Sequence, residues 1–318
     1  MLAHLPRETQ RQLVFLDPRH VTRAKRTRPI PVADLPVDAA REAAGPMHFI
    51  FHTAFCCSTL MTRALDIPGV SMGIKEPSVL VAFAHLRSSG RGTPGALAAL
   101  EMTLDLLSRP HTPGETQIVK PSNVTTHIIP QMMHVRPNAK ALVMYSPLDA
   151  FLRAVARRGM EGRAFARSTY QYYASVIPLD AGFTDEDVVL QTDLQIAAQA
   201  WLIQIAFLDS IAKRFGPGRL RTLNSETFLA DPAATLAQLA SFFDLAIDAP
   251  ACAAIAAGPV FGEHAKEYGR TFDAHAYRAQ LAEAGAAHKA ELALAKTWGA
   301  DLAERCGVPL GLGDTLFH

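Results

Sequence analysis

The sequence predicts an α/β protein: a central parallel sheet of about five strands with helices on both faces. Two observations predict it. Short apolar runs of strand length recur along the chain without the alternation of a half-exposed strand. Longer stretches with helical periodicity stand between them, and strands alternating with helices pair in parallel through right-handed crossovers.

Taken in order, residues 1–45 are mixed in charge and rich in Pro and Arg, with a basic cluster at Arg23, Lys25, Arg26 and Arg28. They read as an N-terminal extension packed on a domain spanning 46–318. A solvated charge run explains the cluster more simply than a nucleic-acid arm. MHFIFH (Met47–His52) is the first strand. The small-residue turn TAFCCST (Thr53–Thr59) follows it, and then the helical stretch LMTRALD. Further strands are expected around Val70–Ile74, Gln117–Lys120, Lys140–Tyr145 and Arg219–Leu223. Helical patterns fill Pro94–Arg109, Leu148–Gly159, Ile196–Phe215 and Asp231–Leu245, and Ala-rich helices follow Asp273. Asp231 as N-cap with Pro232 at the first helical position is a good helix start.

Composition excludes several classes. With 49% hydrophobic residues and a net charge of +1, the chain is not disordered. No run of 18 or more uncharged apolar residues predicts a membrane span, and MLAHLPRETQRQ has no secretory-signal pattern. Four cysteines do not make a disulfide framework. The balance of 31 basic against 30 acidic residues argues against a nucleic-acid or anionic-membrane coat. The expectation is a cytoplasmic globular protein.

Chemistry is expected first at the strand–turn–helix around Ser58. Ligands of open α/β sheets sit beyond the carboxyl ends of strands, where N–H groups and a helix start favour anions. Ser58 and Thr59 offer hydroxyls as ligands or caps, and Ala54, Cys56 and Cys57 are small enough to let the backbone curl closely. An ordinary capped turn would look the same. The glycines and lysine of a Walker A loop are absent. Cys56 and Cys57 also admit a reactive thiolate, and His52 with Cys56 half of a metal site for which no CxxC partner or HxxxH follows; small loop residues are the simpler explanation of both.

FIFHTAFCCSTLMTRALD, ALVMYSPLDAFLRAVARRG and NSETFLADPAATLAQLASFFDL, with Trp201 in the long helix, together resemble the sulfotransferases that use 3′-phosphoadenosine-5′-phosphosulfate (PAPS), here as a divergent, bacterial-type member. The resemblance runs from about Met47 to Arg270, and the late block is its most specific part. It implies a P-loop-like three-layer α/β/α sandwich, PAPS as co-substrate, no metal, and in-line sulfuryl transfer to a hydroxyl or amine. On that resemblance Cys56, Cys57, Ser58 and Thr59 would hold the 5′-phosphosulfate. The 3′-phosphate would fall to Arg153 and Arg157, and Lys266 and Arg270 in the late basic loop HAKEYGR would contact either the 3′-phosphate or the diphosphate-like group. Arg158 reads as a solvated neighbour on the same helix. Glu226 is implied to be structural, its carboxylate accepting N–H bonds in the turn.

This chain departs from the family at two points. Phe55 stands where the family loop carries Lys or Arg, and Tyr145 where the R-D-P motif has its Arg. Lys75 and Lys120, both at strand ends, are the candidate replacements for the loop cation. Glu76 is the first candidate for the base that takes the acceptor's proton, and His52 the second, with His85 and His127 behind them. The acceptor and the oligomeric state are not readable. The aromatic stretch Gly159–Asp193 fits either a lid or a helical core stripe. A Mg-dependent phosphoryl enzyme and a degenerate binder without turnover are the rival readings.

Overall fold

A computed structural model describes residues 2–3, 5–18, 27–28, 34, 37–90, 94–263 and 274–317. The sheet consists of β1 (Met47–His52), β2 (Ser71–Lys75), β3 (Thr116–Lys120), β4 (Ala141–Tyr145) and β5 (Leu220–Asn224). The strands are all parallel and lie in the order β2-β3-β1-β4-β5, which is the predicted fold class. Each strand falls within a residue of its predicted span. A separate two-stranded antiparallel ribbon joins Leu2–Ala3 to Thr27–Arg28.

The chain divides into two compact units. The first comprises Met1–Phe51, Ser58–Leu142 and Asp231–Thr271, and the second His52–Cys57, Val143–Ala230 and Phe272–His318.

In the first unit every residue of β2 and β3 is buried, as expected for strands covered on both faces. The helix α1 (Ser58–Ala64) is buried along its whole length. It lies so close to β2 that a Cβ on Gly73 would stand 2.5 Å from the Thr62 carbonyl oxygen. Only glycine allows that approach, because the obstacle is backbone and cannot swing aside. The helices α2 (Ser78–Ser88), α3 (Pro94–Leu107) and α4 (Ile129–Val135) follow. The Asp231-Pro232 start is as expected: Asp231 Oδ1 accepts the Ala234 N–H at 2.9 Å, and the helix runs Pro232–Phe242.

In the second unit the predicted helix Leu148–Gly159 stops early. The helix α5 (Leu148–Arg157) ends, Gly159 turns with φ +56°, and α6 (Gly159–Val176) begins. The aromatic stretch therefore starts as a helix, and Tyr173 packs with Ile177 and Ile203 in its core. The helix α7 (Asp193–Phe215) opens with a Thr192/Gln195 capping box. By length and composition it could cross a membrane, but most of it is buried, as in a core helix. Trp201 and Phe151 lie in that core with Leu292 and Leu302 of α8 (Lys289–Cys306). The C-terminal residues 312–316 line β5: Leu316 N–H donates to the Thr222 carbonyl (3.2 Å), and Thr222 N–H to Thr315 Oγ1 (2.8 Å). This covers backbone groups that would otherwise be an open sheet edge.

Candidate functional site

Candidate groups are found in each unit. In the second, the loop after β1 has an unusual backbone. Ala54, Phe55 and Cys57 have φ of +73°, +53° and +60°, and none is glycine. Each such residue costs about 1–3 kcal/mol and persists only where its surroundings over-determine it. Here they do. Ala54 N–H donates to His52 Nδ1 (3.2 Å), and Thr53 N–H to the Met144 carbonyl (3.2 Å). The Phe55 carbonyl accepts from Ser146 Oγ (2.8 Å). Ser146 is fixed in turn by Trp201 Nε1–H, which donates to its carbonyl at 2.8 Å, and by Ser225 Oγ at 3.2 Å. The Phe55 ring packs on Phe151 (5.6 Å) and edge-on to Phe165 (5.1 Å). Loops that mix left- and right-handed residues form backbone concavities that bind anions elsewhere, and in this loop the Ala54 N–H is already given to His52. Ser58 and Thr59 are the first two helical residues of α1 and are buried, so neither is the residue before the helix. Cys56 is buried, Cys57 partly so, and both are free thiols.

In the first unit, Lys75 and Lys120 are register partners at the carboxyl ends of β2 and β3. Their ammonium groups have different partners. Lys120 is fully buried and forms an ion pair with Glu76, with the Phe15 ring 5.8 Å from its Nζ. Glu76 has φ +47°, and its N–H donates to the Lys120 carbonyl at 2.7 Å. It therefore grips Lys120 through both backbone and side chain. Lys75 Nζ donates to the Arg11 carbonyl (2.7 Å). Burial drives its pKa down to about 8, against the opposing charge of Asp66. Asp66 is pushed above the usual carboxylate range by burial, although Arg7 (3.0 Å) and Arg11 (3.3 Å) both hold it. Arg7 also reaches Glu115 at 2.5 Å. The short helix Arg7–Gln12 is thus stapled by charge to residues flanking β2 and β3.

The remaining candidates are dispersed. Arg153 is exposed and forms an i,i+4 ion pair with Asp149. Arg157 Nη1 donates to Gln280 Oε1 at 3.4 Å. Arg158, read from the sequence as solvated, is exposed, and its guanidinium lies 5.0 Å from the Phe55 ring centroid. Tyr145 is buried, and its hydroxyl accepts from the Leu312 and Gly313 backbone, while burial pushes its pKa up. Glu226 is exposed, and its own N–H is what is held, by Asn224 Oδ1 at 2.9 Å, so the turn is capped by Asn224 and not by Glu226. His127 is buried with Nε2 3.1 Å from the Ala84 carbonyl, and burial lowers its pKa. His85 is exposed. Lys266 and Arg270 lie outside the described residues. Among the described residues no three His, Cys, Asp or Glu side chains gather as metal ligands.

Sequence reasoning missed one further feature. A cavity of about 400 Å³ opens by the amino-terminal end of β1, lined by Gly45, Met47, His48, Ser108, Arg136 and Asn138. Burial drives the His48 pKa down to about 4. Its Nδ1 accepts the Lys140 N–H (3.0 Å), and Arg136 is paired with Asp105 (2.6 Å), so the polar groups lining the cavity largely serve the fold.

No protein-family model and no curated protein matches the chain. Among solved structures, the sulfotransferase domain from the curacin biosynthetic pathway aligns with 84% of this chain and 98% of that one. The identity is 13% and the TM-score 0.44, a level at which the likeness says nothing of activity or substrate. Fold and strand order define an α/β protein with an all-parallel, five-stranded sheet.

Proposed function

We propose that this chain is a sulfotransferase that moves a sulfuryl group from PAPS to a hydroxyl or amine. One observation carries the reading: three left-handed, non-glycine residues stand between a buried strand and the helix it leads into. Strain of that kind concentrates where ligands are held. β1 is also the strand at which the sheet order changes direction, and ligands of open parallel sheets bind beyond the carboxyl ends there. The loop at Cys56 and Cys57, with the hydroxyls of Ser58 and Thr59, would hold the 5′-phosphosulfate. The acceptor oxygen or nitrogen would attack sulfur. The sulfur–oxygen bond to the 5′-phosphate would break, leaving its electron pair on the phosphate. Glu76, oriented by Lys120, would take the acceptor's proton, with His52 as second candidate. Arg153 would leave Asp149 for the 3′-phosphate beside Arg157, joined by Lys266 and Arg270. Charge stabilisation and positioning would do most of the work, as in phosphoryl transfer.

Calorimetric titration with 3′-phosphoadenosine-5′-phosphate, with ATP and AMP as controls, tests the reading. Selective, magnesium-independent binding is expected. No binding, or a magnesium-dependent preference for ATP, would remove it. A second reading, binding without turnover, is favoured by the protein partners already held by Lys75 and Lys120. Selective binding with no conversion of PAPS across an acceptor panel would choose it.

A further inference from the structure

We infer that Arg158, held against the ring of Phe55, is the cation of an anion site at the loop after β1. The inference deepens the sulfotransferase reading and takes from it the identification of that loop as the donor-phosphate site. Three features of the second unit lead to it.

The first is the position of Arg158. It is the corner between α5 and α6, with φ −82° and ψ 0°, and it is the residue at which one helix ends and the next begins. The corner is narrowly determined. Gly159 follows with φ +56°, and a Cβ on Gly162 would come within 2.1 Å of the Val155 carbonyl oxygen. A side chain with many rotamers thus starts from a fixed point.

The second is its stacking. A guanidinium over an aromatic face is attracted by the ring quadrupole and keeps its N–H donors at its edge, open to an oxyanion. The ring belongs to the loop itself, and Phe151 and Phe165 hold it in place. Loop and cation are therefore positioned by one packed cluster.

The third is its charge. The neighbouring basic residues are engaged: Arg153 with Asp149, Arg163 with Glu291 and Asp193, and Arg167 with Asp193. Among the described residues, no carboxylate pairs with Arg158. Arg158 is also exposed, which leaves its N–H donors within reach of a ligand from solvent. The ligand class is a di- or polyanion with terminal oxygens, such as a diphosphate or phosphosulfate group, which accepts from the guanidinium edge and the loop N–H groups together.

The experiment is titration of the full chain and its variants with inorganic pyrophosphate and, separately, with 3′-phosphoadenosine-5′-phosphate. Arg158→Ala is expected to weaken pyrophosphate about ten- to a hundred-fold, the loss of a charge-assisted contact. Arg158→Lys keeps the charge without the fork and should fall between. Phe55→Leu keeps an apolar anchor without the ring and should cost about three- to ten-fold. Arg214→Ala is the control, because Arg214 is another exposed arginine stacked on a phenylalanine, Phe215, but not at the loop. It should change nothing. Thermal melts of each variant report folding. Failure of wild type to bind pyrophosphate, or equal binding by wild type and Arg158→Ala, overturns the inference. The sulfotransferase reading fails separately. Pyrophosphate binding through Arg158 with no preference for the adenosine bisphosphate over ATP and AMP keeps this site and removes that reading. Selective nucleotide binding that ignores Arg158→Ala does the reverse.

Discussion

The loop after β1 and the turn after β2 both hold non-glycine residues in the left-handed region, but by opposite means. Ala54, Phe55 and Cys57 are fixed by neutral groups: the Ser146 hydroxyl, the Trp201 indole behind it and a packed aromatic cluster. Glu76 is fixed by charge, through an ion pair to the fully buried Lys120. The same backbone strain is thus secured once by packing and once by electrostatics. Packing is indifferent to pH and holds one geometry. A buried ion pair is directional but costs desolvation, and its surroundings titrate. A strained turn held by neutral groups suits a rigid ligand cradle.

The strongest way to break the comparison is to remove a charge. Lys120→Met is expected to cost about 3–5 kcal/mol, because it strands Glu76 beside an apolar side chain. Lys120→Met combined with Glu76→Gln should recover much of that loss. Denaturant unfolding measures both, and a double variant no better than the single one would show that the pair contributes little. On the neutral side, Ser146→Ala removes the donor to the Phe55 carbonyl and should cost about 1–3 kcal/mol. Faster hydrogen exchange at residues 54–57 should accompany it, and the loss should be the same at low and high salt. A salt-dependent loss would mean that the Arg158 stack on Phe55, and not the neutral contacts alone, holds the loop.

The charged side should also respond to pH. Lys75 titrates near 8 in the folded protein, below its ordinary value of 10.5. Between those values the unfolded chain binds a proton that the folded chain has released, so this group's contribution raises stability as pH climbs from about 8 towards 10.5. Below about pH 8 both states carry the proton, and the cost of burying the ammonium is present in full. The stability difference between wild type and Lys75→Met should therefore shift towards wild type across that window. A difference that stays flat from pH 7.5 to 10 would show that Lys75 is not buried as a titrating group.

Much of the fold is legible in the sequence, and much of the candidate site is not. Runs such as MHFIFH and ALVMY mark strands because a covered parallel strand needs nothing but apolar length. Asp231-Pro232 marks its helix because capping is local. The left-handed residues left no trace, since the usual signal for positive φ is glycine and this loop has none. The Lys120–Glu76 pair needs the adjacency of β2 and β3, which no local pattern gives. The choice among Arg153, Arg157 and Arg158 turned on the contact with Phe55. Arg158 meets Phe55 because the Phe55 ring packs on Phe151 of α5, a long-range contact that no local pattern gives.

The smallest change expected is also the sharpest probe of why the neutral loop is strained. Ala54 has φ +73°, a region where glycine meets no steric cost. Ala54→Gly removes a methyl group and relaxes that backbone while leaving the His52, Ser146 and Trp201 contacts in place. If the strain were incidental, the folded state would gain up to about 1 kcal/mol, offset in part by the greater freedom of glycine in the unfolded chain, and nothing else would change. If the strain is what aims the loop N–H groups, the variant should melt at the same or a slightly higher temperature and bind pyrophosphate several-fold more weakly. Stability and binding would then move in opposite directions. A variant both more stable and equally tight in binding would show that the left-handed turn at Ala54 is an accident of packing, and that the anion is held by Arg158 without help from this residue.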